Sequence, residues 1–179
     1  NVLVGANGAG KTNFLRFFEM LGHMMDPARG LQRYVAARGR ADAFLYRGVK
    51  VTSELTARIT FGLNGYEFAL RAADDRSLFF EREAAPFDGP RYGAVVNDQG
   101  SGHLESRLAS KDSPTKAEKF ARDAIRSWRV HHFHDTSATA GMMGLANVVD
   151  HRYLHADASN IAPFLRHLSE RHPAHFRRI

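Results

Sequence analysis

The stretch that decides the fold is residues 1–18, which read "NVLVGANGAGKTNFLRFF". Its first five residues are mostly apolar and β-branched, which predicts a short buried strand. After a glycine-rich turn, Phe14, Phe17, Phe18 and Leu21 recur at the spacing of one helix face. A strand, a glycine turn and an amphipathic helix in this order predict an α/β fold with a phosphate-binding loop between the strand and the helix.

The turn satisfies the spacing G-x-x-x-x-G-K-[ST] through Gly5, Gly10, Lys11 and Thr12. Glycine lets the backbone turn sharply, so its N–H groups can surround a β-phosphate at the positive end of the following helix. We expect Lys11 to lie between the β- and γ-phosphates and Thr12 to bind Mg²⁺. The predicted ATP-binding residues are Gly5, Ala6, Asn7, Gly8, Ala9, Gly10, Lys11, Thr12 and Asn13.

The motif "LVGANGAGKTNFL" resembles the first nucleotide motif of the RecF, SMC and OLD-type ATPases, which are ABC-type heads that act on DNA. Asn7 and Asn13 carry the likeness, since ABC transporters usually have Thr where Asn13 stands. Two later stretches, "WRVHHFHDTSATA" and "HRYLHADASNIAPFLRHL", resemble a bacterial family of RecF-like AAA ATPases. The resemblance covers nearly the whole chain, although only the phosphate loop is diagnostic by itself.

This resemblance implies a P-loop NTPase fold, namely lobe I of an ABC-type head with a flanking antiparallel β subdomain and C-terminal helices. Residues 1–27 would form the P-loop strand and helix, 53–97 the β subdomain, and 113–179 a helix, a strand and the start of a helical lobe. It also implies that the complete protein hydrolyses Mg·ATP as a homodimer of heads. DNA and a nuclease or effector protein are the further partners it implies, in DNA repair, chromosome maintenance or phage defence.

The middle of the chain is predicted to be mostly β. Residues 53–85 alternate with a period of two, and the Asn64-Gly65 pair predicts the hairpin turn. Residues 86–113 are rich in Gly, Pro, Asp and Ser and predict surface loops around one short strand, Ala94–Val96.

A second helix is expected to begin at Ser113, with Pro114 as its first helical residue. Its predicted buried face consists of Ala117, Phe120, Ala121, Ala124, Ile125 and Trp128. "WRVHHFHD", residues 128–135, alternates like a strand, and a final helix is predicted to start near Asn160. In the related ATPases a polar residue on a comparable strand reaches the metal and the attacking water, which makes His134 and Asp135 the candidate catalytic residues.

Two elements of an ABC-type ATPase are missing from the sequence. The nearest candidate for a Walker B strand, "ANVVDH" ending at Asp150, has a polar Asn147 and carries His151 where Glu belongs. The segment Gln99–Gly102, "QGSG", has the wrong order for a signature motif. We therefore expect an N-terminal lobe that is trimmed at both ends and that binds nucleotide better than it hydrolyses it.

Two other clusters have alternative interpretations. His131, His132, His134 and Asp135, completed by His151 or His155, could bind a metal, but structural or catalytic histidines are favoured because no known metal-site spacing appears. The arginines near the C-terminus could contact nucleic-acid phosphates, or pair with another part of the protein, which we favour. These arginines are Arg166, Arg171, Arg177 and Arg178.

The composition sets limits on function. The chain has 179 residues, a formal net charge of +6 and no cysteine, which excludes thiol catalysis and disulfides and favours anionic partners. We expect a cytoplasmic protein, because neither a signal peptide nor an apolar run long enough to cross a membrane is found. A non-catalytic module switched by nucleotide is one alternative to an ATPase. A P-loop kinase or GTPase is the other; it would need a phosphoacceptor site or an N-K-x-D motif that reads guanine, and no N-K-x-D motif occurs.

Overall fold

The computed structural model describes residues 4, 6, 10–28, 30–90, 93–131, 137 and 139–179. The chain divides into two compact units, Asn1–Trp128 and Arg129–Ile179. The elements of the first unit are α1 (Lys11–Met24), α2 (Leu31–Ala37), a 3-10 turn (Ala41–Ala43), β1 (Glu54–Phe61), β2 (Asn64–Ala72), β3 (Leu78–Gly89), β4 (Gly93–Gly100), α3 (Arg107–Ser110) and α4 (Lys116–Ser127). Those of the second unit are a 3-10 turn (Gly141–Met143), α5 (Ile161–Arg171) and α6 (Pro173–Phe176).

The four strands form one antiparallel sheet in the order β1-β2-β3-β4, which confirms the predicted meander. The first hairpin turn was predicted two residues too late. Phe61 pairs with Asn64, so the turn consists of Gly62 and Leu63 and the Asn-Gly pair already belongs to β2. Gly62 has a φ of 63°, which suits the first central position of a type II′ turn.

The prediction of surface loops over residues 86–113 was wrong for most of residues 86–100, whereas residues 101–106 and 111–113 belong to no helix or strand. β3 continues to Gly89 and pairs with the whole length of β4, so the predicted strand Ala94–Val96 is the middle of a longer one. Pro86 does not end β3, because it pairs with Val96 of β4. On the β2 side, Phe87 and Ala84 have partners, but the two residues between them do not. The missing N–H of the proline therefore falls at an interruption of the β2 ladder.

The core lies where α1, α2 and α4 cover the sheet. Its largest fully buried side chains are Met20, Leu21, Met24, Met25, Leu31, Tyr66, Phe68, Leu70, Leu78, Phe80, Leu108 and Ile125. Of the face predicted for α1, Leu21 is buried and Phe17 and Phe18 are half-buried against the core. Phe14 is 49% exposed, because it lies in the first turn and contacts the edge of Phe18 rather than the core.

Of the strand predicted for residues 1–5, only Val4 belongs to the described part of the chain. It has no regular secondary structure there and its side chain is 91% exposed, which contradicts the burial predicted for it. Within the described ranges the only sheet is the antiparallel one over residues 54–100. No parallel neighbour is therefore available in these ranges to cover Val4.

Helix α4 begins later than predicted and buries a different set of side chains. Its N-cap is Thr115, not Ser113. Ala121 and Ile125 are buried as predicted, but Phe120 is 51% exposed and Glu118 is fully buried instead. Hydrogen bonds satisfy the Glu118 carboxylate, which explains how a charged residue can occupy the buried face.

In the second unit, α5 begins at Ile161 with Asn160 as its N-cap, as the sequence predicts. Asn160 is buried and holds the preceding loop, since its side chain donates to the carbonyls of Asp150 and Tyr153 and accepts from the His155 N–H. Residues 128–131 of the predicted strand have no regular secondary structure, and 132–136 lie outside the described residues. Of the helices that the structure describes, none combines the length and apolarity that crossing a membrane would take.

Candidate functional site

The chain enters α1 through a glycine in a backbone conformation that few other residues adopt. Gly10 precedes the helix in the left-handed region, with φ 89° and ψ 3°, and Lys11 is the first helical residue. A residue with a Cβ would be disfavoured there by about 1–2 kcal/mol, so glycine is needed for the entry into the helix. The Phe14 N–H donates to the Gly10 carbonyl at 2.9 Å and closes the first turn.

In the first turn of α1, the N–H groups of Thr12 and Asn13 have no acceptor among the residues that the structure describes. Gly10 offers no side chain to cap the helix, and no Asp or Glu lies in the first turn. The first N–H groups of a helix have no partner within the helix, and their combined dipole favours an anion. Gly10, Thr12 and Asn13 are exposed, so an anion could reach these donors from solvent.

Lys11 and Thr12 add the side-chain groups of the site. Lys11 Nζ donates to the carbonyl of Ala6 at 2.7 Å, which holds the ammonium against the loop. The Thr12 hydroxyl is exposed and has no hydrogen-bond partner among the residues that the structure describes. One free hydroxyl fits Mg²⁺, because this ion keeps several of its waters and takes few protein ligands.

The structure thus brings together Ala6, Gly10, Lys11, Thr12 and Asn13 of the predicted site. Gly5, Asn7, Gly8 and Ala9 lie outside the described residues, as do His134 and Asp135. The roles of His134 and Asp135 therefore stay predictions.

The two segments rejected as Walker B and signature motifs both lie among the described residues. Val148 and Val149, which precede Asp150, are 61% and 73% exposed, and residues 145–150 form no strand. A Walker B strand would be buried. Gln99 lies at the end of β4 and donates to the Glu118 carboxylate at 2.6 Å, which is a structural contact.

The histidine cluster predicted as an alternative metal site is only partly described. His131 Nδ1 lies 3.2 Å from the His155 carbonyl, and the His155 ring contacts Asp150 and Ser159. Over the described ranges, which omit His132 and His134, no group of three or more His, Asp or Glu residues could hold a metal ion. Of this cluster, His131 and His155 thus contact protein groups.

Sequence reasoning missed a cleft along α1, which we call the α1 cleft. It measures about 550 Å³, including space open to solvent, and is lined by Asn13, Arg16, Phe17, Met20, Tyr34, Arg38, Ala43, Phe44 and Leu55. Tyr34 lies at its base, where the hydroxyl contacts Glu19 Oε2 and the Arg16 carbonyl, both at 3.0 Å. Burial and the Glu19 charge raise the pKa of Tyr34 to about 12, so the phenol is neutral at pH 7.

A second missed feature is the buried carboxylate of Glu83. It accepts hydrogen bonds from the Tyr66 hydroxyl, His103 Nε2, the Ser106 hydroxyl and the Arg107 N–H. Four donors satisfy both carboxylate oxygens, so the group joins β3 to the start of α3. Burial and the charge of Glu83 hold the pKa of Tyr66 well above its ordinary value. The alternation of apolar and polar residues along β3 is the signal that could have indicated a buried position. This alternation does not distinguish Glu83 from its neighbours.

The comparison with known families agrees with this geometry. Residues 1–159 match the sequence model of the family described as "AAA domain, putative AbiEii toxin, Type IV TA system". No curated protein and no solved structure matches the chain significantly. AAA domains are nucleotide-binding ATPase modules of the P-loop type, which is the class that the loop at Gly10, Lys11 and Thr12 predicts. Since the match spans most of the chain, this protein belongs to that family of AAA domains.

Proposed function

We propose that the chain binds Mg·ATP through residues 5–13 and that the complete protein hydrolyses it as an ABC-type ATPase of the RecF, SMC and OLD class. The start of α1 is the observation that carries the proposal. It has a left-handed glycine, no side-chain cap, no acidic residue and an ammonium held against the loop. Membership in a family of AAA domains supports the same activity.

The binding energy comes from a few charge-assisted hydrogen bonds. The N–H groups of the first helical turn and Lys11 Nζ would donate to phosphate oxygens, and Thr12 would hold Mg²⁺, which neutralises phosphate charge. Each charge-assisted hydrogen bond contributes roughly 1.5–3 kcal/mol. Several of them account for micromolar binding, about 8 kcal/mol.

Hydrolysis makes a further demand that binding does not. A group must orient the attacking water, and we propose His134 or Asp135 for this role near the γ-phosphate. A catalytic carboxylate of the Walker B type and a homodimer of heads complete the proposal. Replacing Asp135 with Ala should lower turnover of the complete protein, and unchanged ATP affinity and turnover would exclude this role for Asp135.

The proposed class and the family description each suggest a biological role. DNA repair, chromosome maintenance and phage defence are all consistent with a RecF-like head. The family description names a toxin of a type IV toxin–antitoxin system, which favours phage defence and an effector or antitoxin protein as partner. DNA remains a proposed partner through the exposed arginines of α5 and the residues that follow it.

A non-catalytic nucleotide switch is the second candidate. It is favoured by the segment before Asp150, the nearest candidate for a Walker B strand, because Val148 and Val149 are exposed there and residues 145–150 form no strand. Turnover separates the two candidates, because a switch binds Mg·ATP without releasing phosphate. Phosphate release measured with the complete protein decides between them.

Calorimetry tests the binding proposal directly. A folded sample titrated with Mg·ATP should give micromolar affinity, and omission of Mg²⁺ should weaken it. A folded sample that produces no heat at millimolar Mg·ATP would overturn the proposal.

A further inference from the structure

The α1 cleft begins where the phosphate loop ends. Asn13 belongs to both, since it follows Lys11 and Thr12 and also lines the cleft. The other α1 residues of the cleft are Arg16, Phe17 and Met20, so the cleft follows one face of the helix with the spacing i, i+3, i+4 and i+7. At a rise of 1.5 Å per residue, this face extends for about 10 Å beyond the loop.

The base and walls of the cleft are apolar and aromatic. Met20 and Tyr34 are buried below it, and Phe17, Phe44 and Leu55 are half-buried at its sides. Phe44 packs against the Tyr34 ring with centroids 5.7 Å apart, which fixes the aromatic wall. Surfaces of this kind bind flat aromatic groups by stacking.

The rim carries polar groups with unused hydrogen-bonding capacity. Arg16 is exposed, and in the described part of the chain its guanidinium has no hydrogen-bond or ion-pair partner. The Asn13 amide is likewise exposed and unpartnered among the described residues. Arg38 differs, because it pairs with Glu19 at 2.8 Å and lies over the Tyr34 ring.

We propose that the α1 cleft binds the purine base of the nucleotide whose phosphates occupy the loop, and this inference rests on the proposed function. The base would stack on the aromatic wall and the planar guanidinium of Arg16 would cover its other face. The Asn13 amide has both a donor and an acceptor, which suits the edge of adenine. The cleft therefore supplies the contacts that distinguish ATP from a bare chain of phosphates.

The test compares Mg·ATP with Mg·tripolyphosphate, which has the phosphates but no base. Calorimetry is carried out on the wild-type chain and on Arg16→Lys, which keeps the charge and loses the planar fork. Phe44→Leu is the second variant, and Arg33→Lys on α2, outside the cleft, is the matched control. Circular dichroism verifies that each variant is folded.

Wild type should bind Mg·ATP more tightly than Mg·tripolyphosphate. Each cleft variant should lower the affinity for Mg·ATP about fivefold, which is the equivalent of one stacking contact. The affinity for Mg·tripolyphosphate should stay unchanged. The control should change neither.

Other outcomes overturn the inference in distinguishable ways. If wild type binds both ligands equally, or if folded variants lose both equally, the base is not in the cleft but the phosphate loop stands. If Arg16→Lys and Phe44→Leu both bind Mg·ATP as wild type does, the cleft is likewise excluded. If wild type binds neither ligand, the proposed function fails together with the inference.

Discussion

Two helices of the first unit, α1 and α4, begin in opposite ways. α4 starts at Thr115 with a reciprocal capping box, in which Thr115 accepts from the Glu118 N–H and the Glu118 carboxylate accepts from the Thr115 N–H. α1 starts at Gly10 and has neither a capping side chain nor an acid in its first turn. The third helical residue is Glu118 in α4 and Asn13 in α1, so the position that completes the capping box carries no charge in α1.

This difference suggests that the start of α4 contributes to the stability of the fold, whereas the start of α1 contributes to ligand binding. At the start of α4 the Thr115 and Glu118 N–H groups are satisfied within the protein. The Glu118 carboxylate is fully buried and accepts from Lys111 and Gln99, both at 2.6 Å. The Thr12 and Asn13 N–H groups at the start of α1 belong to exposed residues and have no acceptor in the described part of the chain, so an external anion can satisfy them. Changes at the start of α4 should therefore alter folding, and changes at the start of α1 should alter ligand affinity.

Removal of the Glu118 side chain should have the largest effect. Glu118→Ala leaves Lys111 and Gln99 without their shared acceptor and opens a gap beside the core, so we expect a loss of about 3 kcal/mol in the free energy of unfolding. Urea denaturation measures the loss. Asp123→Ala, on the exposed side of the same helix, is the control and should change stability by less than about 1 kcal/mol. Equal stability of the two variants would contradict the role of Glu118.

Removal of the Lys11 ammonium should act on binding alone. Lys11→Ala should lower the affinity for Mg·ATP about 100-fold, because one strong charge-assisted interaction is lost. The melting temperature should change little. Lys116→Ala is the matched control, because Lys116 is the first residue of α4 as Lys11 is of α1. Measured by calorimetry, the control should bind Mg·ATP as tightly as the wild type. A similar loss of affinity in both variants would mean that the nucleotide responds to the net charge of the protein and not to the loop.

Acid should weaken the contribution of Glu118 to stability. Burial opposes ionisation of this carboxyl, but hydrogen bonds from Lys111, the Thr115 N–H and Gln99 outweigh it and lower the pKa of Glu118 from 4.5 to about 2. A depressed pKa stabilises the folded state above the unfolded value, and that stabilisation is lost as the pH falls from about 4.5 towards 2.

The measurement compares wild type with Glu118→Gln, in which the charge is absent at every pH. The difference in unfolding free energy between the two should be largest at pH 7 and smaller at pH 3. A difference that stays constant between these pH values would show that the charge of Glu118 does not contribute.

The sequence predicted those features that are determined by residues close together in the chain. The helix after Gly10 and the helix after Asn160 were predicted because glycine geometry and the helical spacing of apolar residues are determined within a few residues. The first hairpin was predicted two residues late because two adjacent glycine-containing pairs, Gly62-Leu63 and Asn64-Gly65, both suit a turn. Register against the neighbouring strand, which is not local, selects the first pair.

The features that were missed depend on residues far apart in the chain. Glu83 is buried because Tyr66, His103 and Ser106 surround it, and no pattern near Glu83 reveals those partners. The α1 cleft likewise needs α1, Tyr34 and Phe44 to come together. Chemistry carried by one short motif could thus be predicted, whereas a site assembled from three elements required the structure.

A negative charge placed at the start of α1 should have the smallest effect and the most specific one. Asn13→Asp puts an acid in the first turn, where the helix dipole favours it, so the free energy of unfolding should rise by about 0.3–1 kcal/mol. The same charge repels an anion, so affinity for Mg·tripolyphosphate should fall roughly threefold. This ligand has no base, and any loss of a base contact at Asn13 is therefore left out of the comparison.

Ala117→Asp on α4 is the control for this exchange of stability against binding. The start of α4 already carries Glu118, so a second acid should stabilise it less and should not change ligand affinity. Thermal unfolding and calorimetry give the two quantities on the same samples. If Asn13→Asp raised the free energy of unfolding without lowering the affinity for Mg·tripolyphosphate, the phosphates would not bind at the start of α1. The contrast between the two helix starts would then have no functional meaning.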